Sequence, residues 1–259
     1  MVDVVVRRWV QLSWRHFGNR ITPLKPSLAI RNIEPEILDD LPANDPRAVA
    51  SRKDLRRLNY WLKHHRLVKE AILKAFPADL PHSILEIGSG DGLFALQTLS
   101  YLDEARPFPE TRNLYLVDRQ TPVQKELFGE FESIGWNLHS IQADIFEWLP
   151  HQQTFDCIIA NLFLHHFEPV QLLALFELIA TRAKVFIACE PRRCKTALYG
   201  GFLLMYATCS SVTRHDGIIS IRAGFRGREL SQLWPVGNWA LEETRSGFVN
   251  HLFVAMKKG

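Results

Sequence analysis

The stretch Ile84–Gly92, with the sequence ILEIGSGDG, decides the fold of this 259-residue chain. Apolar strand-like residues lead into three glycines at alternate positions, Gly88, Gly90 and Gly92, and a helical pattern begins at about Leu93. Glycine permits a sharp turn and lets a ligand approach the backbone closely. The helix that follows offers free N–H groups and the positive end of its dipole. The stretch therefore predicts a strand, a ligand-binding loop and a helix, with the loop holding a phosphate or a carboxylate.

The spacing of the glycines argues against a dinucleotide site. The pattern Gly-x-Gly-x-x-Gly requires a third glycine where this chain has Leu93, and the phosphate-binding Gly-x-x-x-x-Gly-Lys pattern is absent. Glu86, two residues before the first glycine, would repel a pyrophosphate and suits a ligand with a cationic amine. A nicotinamide enzyme is therefore disfavoured.

Strand and helix patterns alternate around this loop. We predict strands over residues 83–87, 113–117, 137–143, 155–160 and 184–189, with helices from residue 93 and over 123–134 and 169–182. Strands separated by helices of this length predict right-handed crossovers and a parallel sheet covered on both faces.

The last part of the chain follows a different pattern. Two strand-like runs, Trp239–Thr244 and His251–Met256, flank Ser246-Gly247 and predict an antiparallel hairpin. Between residues 195 and 235 lies an insertion, with helices predicted over 196–208 and 226–234. The predicted fold class is α/β: a doubly wound, mostly parallel seven-stranded sheet with a terminal antiparallel hairpin. We expect an N-terminal helical extension or lid over residues 1–80 and a Rossmann-like domain over 81–259.

A long helix is predicted before the first strand, from Ser51, its expected N-cap, to Phe76. It carries many basic residues, which either bind RNA or an anionic carrier, or form the solvated face of a lid helix. We favour the lid, because an apolar stripe opposite the basic face already explains the helix. Tyr60 and Trp61 are predicted to close over the ligand.

The composition sets broad limits. The chain is 47% hydrophobic and 23% charged, which supports a sizeable core, and a net charge of +3 says little about partners. We predict no membrane span and no secretory signal. The four cysteines show no paired spacing, so we expect no disulfide scaffold, no metal site and a cytoplasmic location.

The acid followed by Gly-x-Gly-x-Gly between a strand and a helix resembles the first motif of class I S-adenosylmethionine-dependent methyltransferases. The resemblance continues in order: Asp118 ends the second strand, where the family places an acid on the ribose hydroxyls. Asp144 follows the third strand, at the family's adenine position, and Asn161 ends the fourth. The resemblance implies S-adenosyl-L-methionine as the methyl donor, S-adenosyl-L-homocysteine as the product, and cofactor contacts from Glu86, Gly88, Ser89, Gly90, Gly92, Asp118, Arg119, Asp144, Ile145 and Asn161.

The segment Leu164-His165-His166 resembles that of small-molecule methyltransferases of the ubiquinone-biosynthesis type. A histidine here acts as the general base, caps the next helix, or packs on the methionine end of the cofactor. Since adjacent side chains alternate in direction, we expect only one of the two rings to face the pocket.

Further polar residues follow the fifth strand and lie in the insertion. Glu190 is a candidate to orient an acceptor, and Arg192 or Arg193 to hold an acidic substrate, although an internal Glu–Arg ion pair explains them equally well. His215 is a catalytic candidate through a His–Asp pair with Asp216, or else part of a turn. The remaining candidates for substrate contacts are Arg214, Tyr199 and Tyr206, although for the two tyrosines we favour a core position over a substrate contact.

The sequence thus predicts a methyltransferase acting on a small molecule, aromatic or polyketide-like, with O-methylation preferred over C-methylation. The alternatives are an RNA or protein methyltransferase and a catalytically inactive cofactor-binding module. We do not expect a nucleic-acid partner, and the sequence leaves the oligomeric state open.

Overall fold

The computed structural model describes residues 28–42, 44–105, 112–120, 123 and 125–258. Its centre is a seven-stranded sheet of order β3-β2-β1-β4-β5-β7-β6, with parallel pairing among β1 to β5 and antiparallel pairing of β7 with β5 and β6. This confirms the predicted fold class. The strands are β1 (Ser83–Ile87), β2 (Arg112–Asp118), β3 (Trp136–Gln142), β4 (Phe155–Asn161), β5 (Ala183–Pro191), β6 (Trp239–Ser246) and β7 (Asn250–Lys257).

Neighbouring residues of a strand point to opposite faces of the sheet. Both faces are apolar here, and helices cover both of them. Ile84 packs into one apolar core and Leu85 into the other. The helices of the described chain are α1 (Ile37–Asp40), α2 (Pro46–Trp61), α3 (His64–Ala75), α4 (Leu93–Ala105), α5 (Glu126–Ser133), α6 (Ile145–Trp148), α7 (Pro169–Arg182), α8 (Lys195–Thr208), α9 (Ser211–Ala223) and α10 (Glu229–Leu233).

The strand order reverses between β1 and β4. From β1 the chain crosses outward to β2 and β3, and it then returns to the other side of β1 to form β4 and β5. In doubly wound sheets a crevice opens at the carboxyl ends of the strands where the order reverses, and ligands bind there. The glycine loop (residues 88–92) lies at this point, directly after β1.

The prediction of one long helix over residues 51–76 is wrong. The structure has two helices, because Lys63 adopts a left-handed conformation with φ of 58° that ends the first helix and redirects the chain. The expected N-cap at Ser51 is also wrong: α2 begins at Pro46, and the Asp45 carboxylate accepts a hydrogen bond from the Arg47 amide.

The insertion after β5 contains a helix, α9, that the sequence did not predict. Arg214-His215-Asp216-Gly217 has the composition of a turn, yet it lies within this helix. A Cβ atom at Gly217 would lie 2.2 Å from the Met205 sulfur on α8, so the glycine allows α8 and α9 to pack closely. Tertiary packing therefore overrides the local preference of this segment for a turn.

None of the helices in the described part of the chain is long and apolar enough to cross a membrane. All four cysteines are free, and Cys157 and Cys189 are buried in β4 and β5.

Candidate functional site

The glycine loop turns through three residues with positive φ: 68° at Gly88, 55° at Gly90 and 81° at Gly92. A Cβ at Gly88 would meet the Phe163 ring, and one at Gly92 would meet Leu116, whereas one at Gly90 would meet nothing within 4 Å. Gly90 therefore borders open space, which is what close approach of a ligand to the backbone requires.

Asp118, at the carboxyl end of β2, holds the glycine loop in place. Its Oδ2 accepts a hydrogen bond of 2.9 Å from the Gly90 amide, and its Oδ1 accepts one of 2.8 Å from the Gln120 amide. A carboxylate oxygen accepts more than one hydrogen bond, so a ligand hydroxyl can also donate to this carboxylate. The predicted loop and the predicted ribose acid are thus brought together.

A cavity of about 220 Å³ lies against this loop. Its floor is made by the ends of β1, β2 and β4 with the loop, and its roof by α2 and by the strap (residues 31–41), the segment that contains α1. The roof residues on α2 are spaced by three or four, so they form one helical face. The lining includes Leu38, Asp39, Arg52, Leu55, Arg56, Asn59, Glu86, Ser89, Gly90, Asp118, Gln120 and Asn161.

Three buried polar groups of the cavity wall are suited to a ligand. Burial raises the pKa of Glu86 well above its usual value, and the nearby Asp91 and Asp118 carboxylates raise it further. The Ser89 hydroxyl and the Asn161 carbonyl oxygen are buried without a hydrogen-bond partner. Unpaired buried polar groups are costly, so their presence in a cavity wall indicates a polar ligand. A ligand with an ammonium group would supply both the positive charge and the missing donors.

Other residues predicted to contact the cofactor lie outside this wall. Asp144 caps α6 by accepting a 2.9 Å hydrogen bond from the Phe146 amide, and its carboxylate lies 3.9 Å from the Arg119 guanidinium. Of the described residues, neither of these two, nor Ile145, nor Gly92, is among those that line the cavity.

Tyr60 and Trp61 do not close over the cavity as predicted. Both are exposed, and the Tyr60 ring stacks on His65 with ring centres 5.7 Å apart. The roof is formed by the preceding turns of α2 instead.

A polar cluster, which we call the histidine cluster, lies beyond the end of β4 and consists of Glu36, Asp39, His165, His166 and Glu190. The His165 ring is buried between two carboxylates, with Nδ1 at 2.8 Å from Glu190 Oε2 and Nε2 at 3.5 Å from Glu36 Oε1. Burial alone would lower the pKa of His165, but the two carboxylates raise it to about 9. A buried, doubly paired ring of this kind is not an accessible base.

His166 lies beside His165 in a different environment. The two ring centres are 4.2 Å apart, so the expectation that the adjacent rings alternate in direction is wrong. A short 3-10 segment, Leu164–His166, replaces the extended geometry that alternation requires. His166 Nδ1 lies 3.7 Å from Asp39 Oδ2, and Asp39 lines the cavity. Burial and the neighbouring His165 lower the pKa of His166 to about 4.

Glu190 contacts His165 and the chain after β4 rather than an arginine. Its Oε1 accepts hydrogen bonds of 2.9 and 2.8 Å from the Phe163 and Leu164 amides. Arg193 is buried and pairs with Glu229 at 2.5 Å, which makes it a structural ion pair. Arg192 donates its backbone amide to the Val249 carbonyl oxygen at 2.7 Å. These contacts give no support to a substrate role for either arginine.

The candidates in the insertion are dispersed. The His215–Asp216 pair exists, at 2.9 Å, but Asp216 also accepts hydrogen bonds of 3.0 Å each from the amides of Ile37 and Leu38 and so anchors the strap. Arg214 lies over the Tyr206 ring at 5.3 Å. Tyr199 and Tyr206 are exposed, so the expectation that they lie in the core is wrong, and they are not among the described cavity residues.

The strap was not predicted from the sequence. Glu36 and Asp39 occur in a stretch with several acids and no motif, and only the folded chain brings them to His165 and His166. The spacing of Glu36 and Asp39 by three, at the start of a helix, is the signal that could have indicated a shared face.

Comparison with known proteins is consistent with this geometry. A family profile described as "Methyltransferase domain" matches residues 60–213, which is more than half of the chain. The chain belongs to this methyltransferase family. The match confirms the prediction of a class I enzyme that uses S-adenosylmethionine as its methyl donor. The narrower likeness to the ubiquinone-biosynthesis type stays a prediction.

Solved structures share the methyltransferase fold. The plantazolicin methyltransferase BpumL, in complex with a monoazolic desmethylPZN analog and SAH, is 17% identical with a TM-score of 0.57, covering 83% of this chain and 91% of that one. The plantazolicin methyltransferase BamL, with a triazolic analog and SAH, is 14% identical with a TM-score of 0.60, covering 83% and 93%. At this identity the likeness concerns the fold. A search of curated proteins finds no match.

Proposed function

We propose that this methyltransferase transfers the methyl group of S-adenosylmethionine to an oxygen of a small-molecule acceptor. The observation that carries the proposal is the roof over the cavity, formed by α2 and the strap. The cofactor would occupy this cavity, and the roof leaves the acceptor only the cavity edge, which suits a small molecule, whereas a macromolecular acceptor requires an open groove. Residues up to 80 would then act as a lid on the domain that begins at residue 81.

The cofactor would lie across the ends of β1, β2 and β4. Gly88, Ser89 and Gly90 would approach it through the backbone, and Asp118 would accept hydrogen bonds from the ribose hydroxyls. Glu86 and Asn161 would face its ammonium group. We keep Asp144, Ile145 and Arg119 as candidates for the adenine end, next to the carboxyl end of β3.

S-adenosylmethionine supplies an electrophilic methyl group on a sulfonium. The acceptor oxygen forms a bond to this carbon as the carbon–sulfur bond breaks, and the bonding electrons return to sulfur. The acceptor must lose its hydroxyl proton. We assign this proton to the Asp39 carboxylate, the member of the histidine cluster that lines the cavity.

The fold neighbours BpumL and BamL, whose structures contain SAH and azole-bearing analogs, support a small organic acceptor. An RNA acceptor is less compatible with the surface of α2 and α3, because Arg56, Arg57 and Lys74 form ion pairs with Asp91, Asp54 and Glu242. RNA retention that weakens steeply with salt would favour that alternative.

Two measurements test the proposal. Isothermal titration with S-adenosylmethionine should show binding, and failure of folded protein to bind would contradict it. A mass-spectrometric screen of metabolite extracts with isotope-labelled methyl donor should reveal a labelled small molecule, and hydrolytic stability of the new bond would distinguish an ether from an ester. Labelling of RNA or protein alone would overturn the small-molecule acceptor.

A further inference from the structure

Glu36, His165 and His166 bring one carboxylate and two imidazoles to a common point. One ligand atom from each residue lies within 4.8 Å of the other two. His165 Nε2 and Glu36 Oε1 are 3.5 Å apart, which is longer than a good hydrogen bond. It is close to the separation of two ligand atoms that each lie about 2.0–2.2 Å from a shared metal ion in tetrahedral geometry.

The other side of His165 has the partner that metal-binding histidines usually have. A ligating imidazole commonly donates its second ring N–H to a carboxylate, which fixes the ring and its tautomer. His165 Nδ1 lies 2.8 Å from Glu190 Oε2, and the other Glu190 oxygen is fixed by two backbone amides. Nε2 is thereby directed at Glu36.

Acidic side chains are also concentrated around this point. Four carboxylates meet here, from Glu36, Asp39, Glu190 and Asp216. Within the described ranges their ion pairs are with the imidazoles of His165, His166 and His215. The nearby Arg31 guanidinium donates instead to backbone oxygens, those of Ala223 and His165. A bound dication would be attracted to this concentration of carboxylates.

We propose that Glu36, His165 and His166 bind one divalent transition-metal ion, with the Asp39 carboxylate as a neighbour, 3.7 Å from His166 Nδ1. Two imidazoles and a carboxylate favour ions such as Zn²⁺, Mn²⁺ or Fe²⁺ over Mg²⁺ and Ca²⁺, which prefer oxygen ligands alone. The expectation of no metal site rested on cysteine spacing, which does not bear on a site made of histidine and carboxylate.

At this position a bound ion would take part in the reaction. Asp39 belongs both to the histidine cluster and to the cavity wall, so the ion would lie at the edge of the cavity. Three protein ligands leave a position for an acceptor oxygen, whose proton a cation makes easier to remove. This role rests on the proposed function, whereas binding of the ion does not.

The test uses the full chain without an affinity tag. Metal content is measured by inductively coupled plasma mass spectrometry, and Co²⁺ and Zn²⁺ titrations of metal-stripped protein are followed by absorption and calorimetry. We expect one ion per chain. His166→Ala and Glu36→Gln should each weaken binding at least about 10-fold, and Glu190→Gln should weaken it about 10- to 100-fold as an outer partner. The control is His82→Gln, which alters an exposed histidine paired with Asp79 and should bind like wild type.

Circular dichroism melting identifies any variant that fails to fold. If Glu36→Gln unfolds, the test depends on His166→Ala, because His166 is only half-buried and its replacement should disturb the fold less. Absence of stoichiometric binding, or equal binding by wild type and His166→Ala, would overturn the proposal. S-adenosylmethionine titrations on the same samples separate the two proposals. Protein that binds the methyl donor but no metal contradicts only the metal site, and protein that binds metal but no donor contradicts only the proposed function.

Discussion

Arg56 on α2 pairs with Asp91 in the glycine loop, with Nε 3.1 Å from Oδ2, and so joins the roof of the cavity to its floor. Both side chains are partly exposed, and exposed ion pairs contribute roughly 0.2–1 kcal/mol. Arg56→Ala should therefore raise the Kd for S-adenosylmethionine by about two- to five-fold with little change in melting temperature. Arg47→Ala, which removes an ion pair with Asp45 that does not line the cavity, is the control and should leave the Kd unchanged in calorimetric titrations. An unchanged Kd in Arg56→Ala would show that the pair does not hold the roof closed over the cofactor.

Gly90 faces open space at the cavity, and Gly247 faces open space in the β6–β7 turn. Their φ values of 55° and 61° impose a similar backbone strain on any substitution. Gly90→Arg should abolish binding of S-adenosylmethionine in calorimetric titrations, because its side chain would occupy the space of the cofactor. Gly247→Arg should bind normally at a comparable cost in stability. Equal loss of binding in both variants would show that backbone strain, and not a side chain in the cofactor's space, causes the loss.

Glu86 should release a proton when the cofactor binds. Its raised pKa, caused first by burial and then by Asp91 and Asp118, favours the neutral acid in the free protein. An incoming ammonium group favours the carboxylate, so binding shifts this pKa downward. The calorimetric enthalpy of binding near pH 7 should therefore vary with the ionisation enthalpy of the buffer. Glu86→Gln should remove this variation, and identical buffer dependence in both proteins would contradict the assignment.

Asp216 fixes the strap through the amides of Ile37 and Leu38. Hydrogen bonds to a charged group contribute about 1.5–3 kcal/mol, so Asp216→Ala should increase local opening. Hydrogen exchange measured by mass spectrometry should be at least about ten-fold faster in peptides covering these amides. His215→Ala removes the neighbouring ring but keeps both amide bonds, and exchange there should match wild type. Unchanged exchange in Asp216→Ala would show that other contacts hold the strap.

Glu243 and His251 form a buried pair between β6 and β7, with Oε1 and Nε2 2.7 Å apart. Burial alone would raise the pKa of Glu243, but hydrogen bonds from His251, from Ser231 and from the Leu230 amide hold it below its usual value of 4.5. A carboxylate with a lowered pKa stabilises the fold above the unfolded-state pKa, and this contribution is lost as pH falls through the folded-state pKa.

The free energy of unfolding should therefore decrease as the pH falls below about 4.5. Glu243→Gln should be less stable than wild type at pH 7 and should lose less stability on acidification. Urea denaturation at pH 7 and at successively lower pH measures both quantities. Parallel pH profiles for the two proteins would exclude this pair as a source of the pH dependence.

The alternating pattern and the glycine loop predicted the sheet, its hairpin and the position of the crevice. These features follow from local rules: strand periodicity, the freedom of glycine and the handedness of crossovers. Glu86, Gly90, Asp118 and Asn161 could be assigned to one site because the carboxyl ends of parallel strands meet at one edge of the sheet.

The sequence by itself determined the methyltransferase fold and the floor of the site, since these depend on residues adjacent to strand ends. The tertiary structure alone decided the break at Lys63, the extra helix α9 and the position of the strap. It brought Glu36 and Asp39 to histidines more than a hundred residues away. Such contacts depend on long-range packing and on the balance of buried charge, which no local pattern of residues encodes.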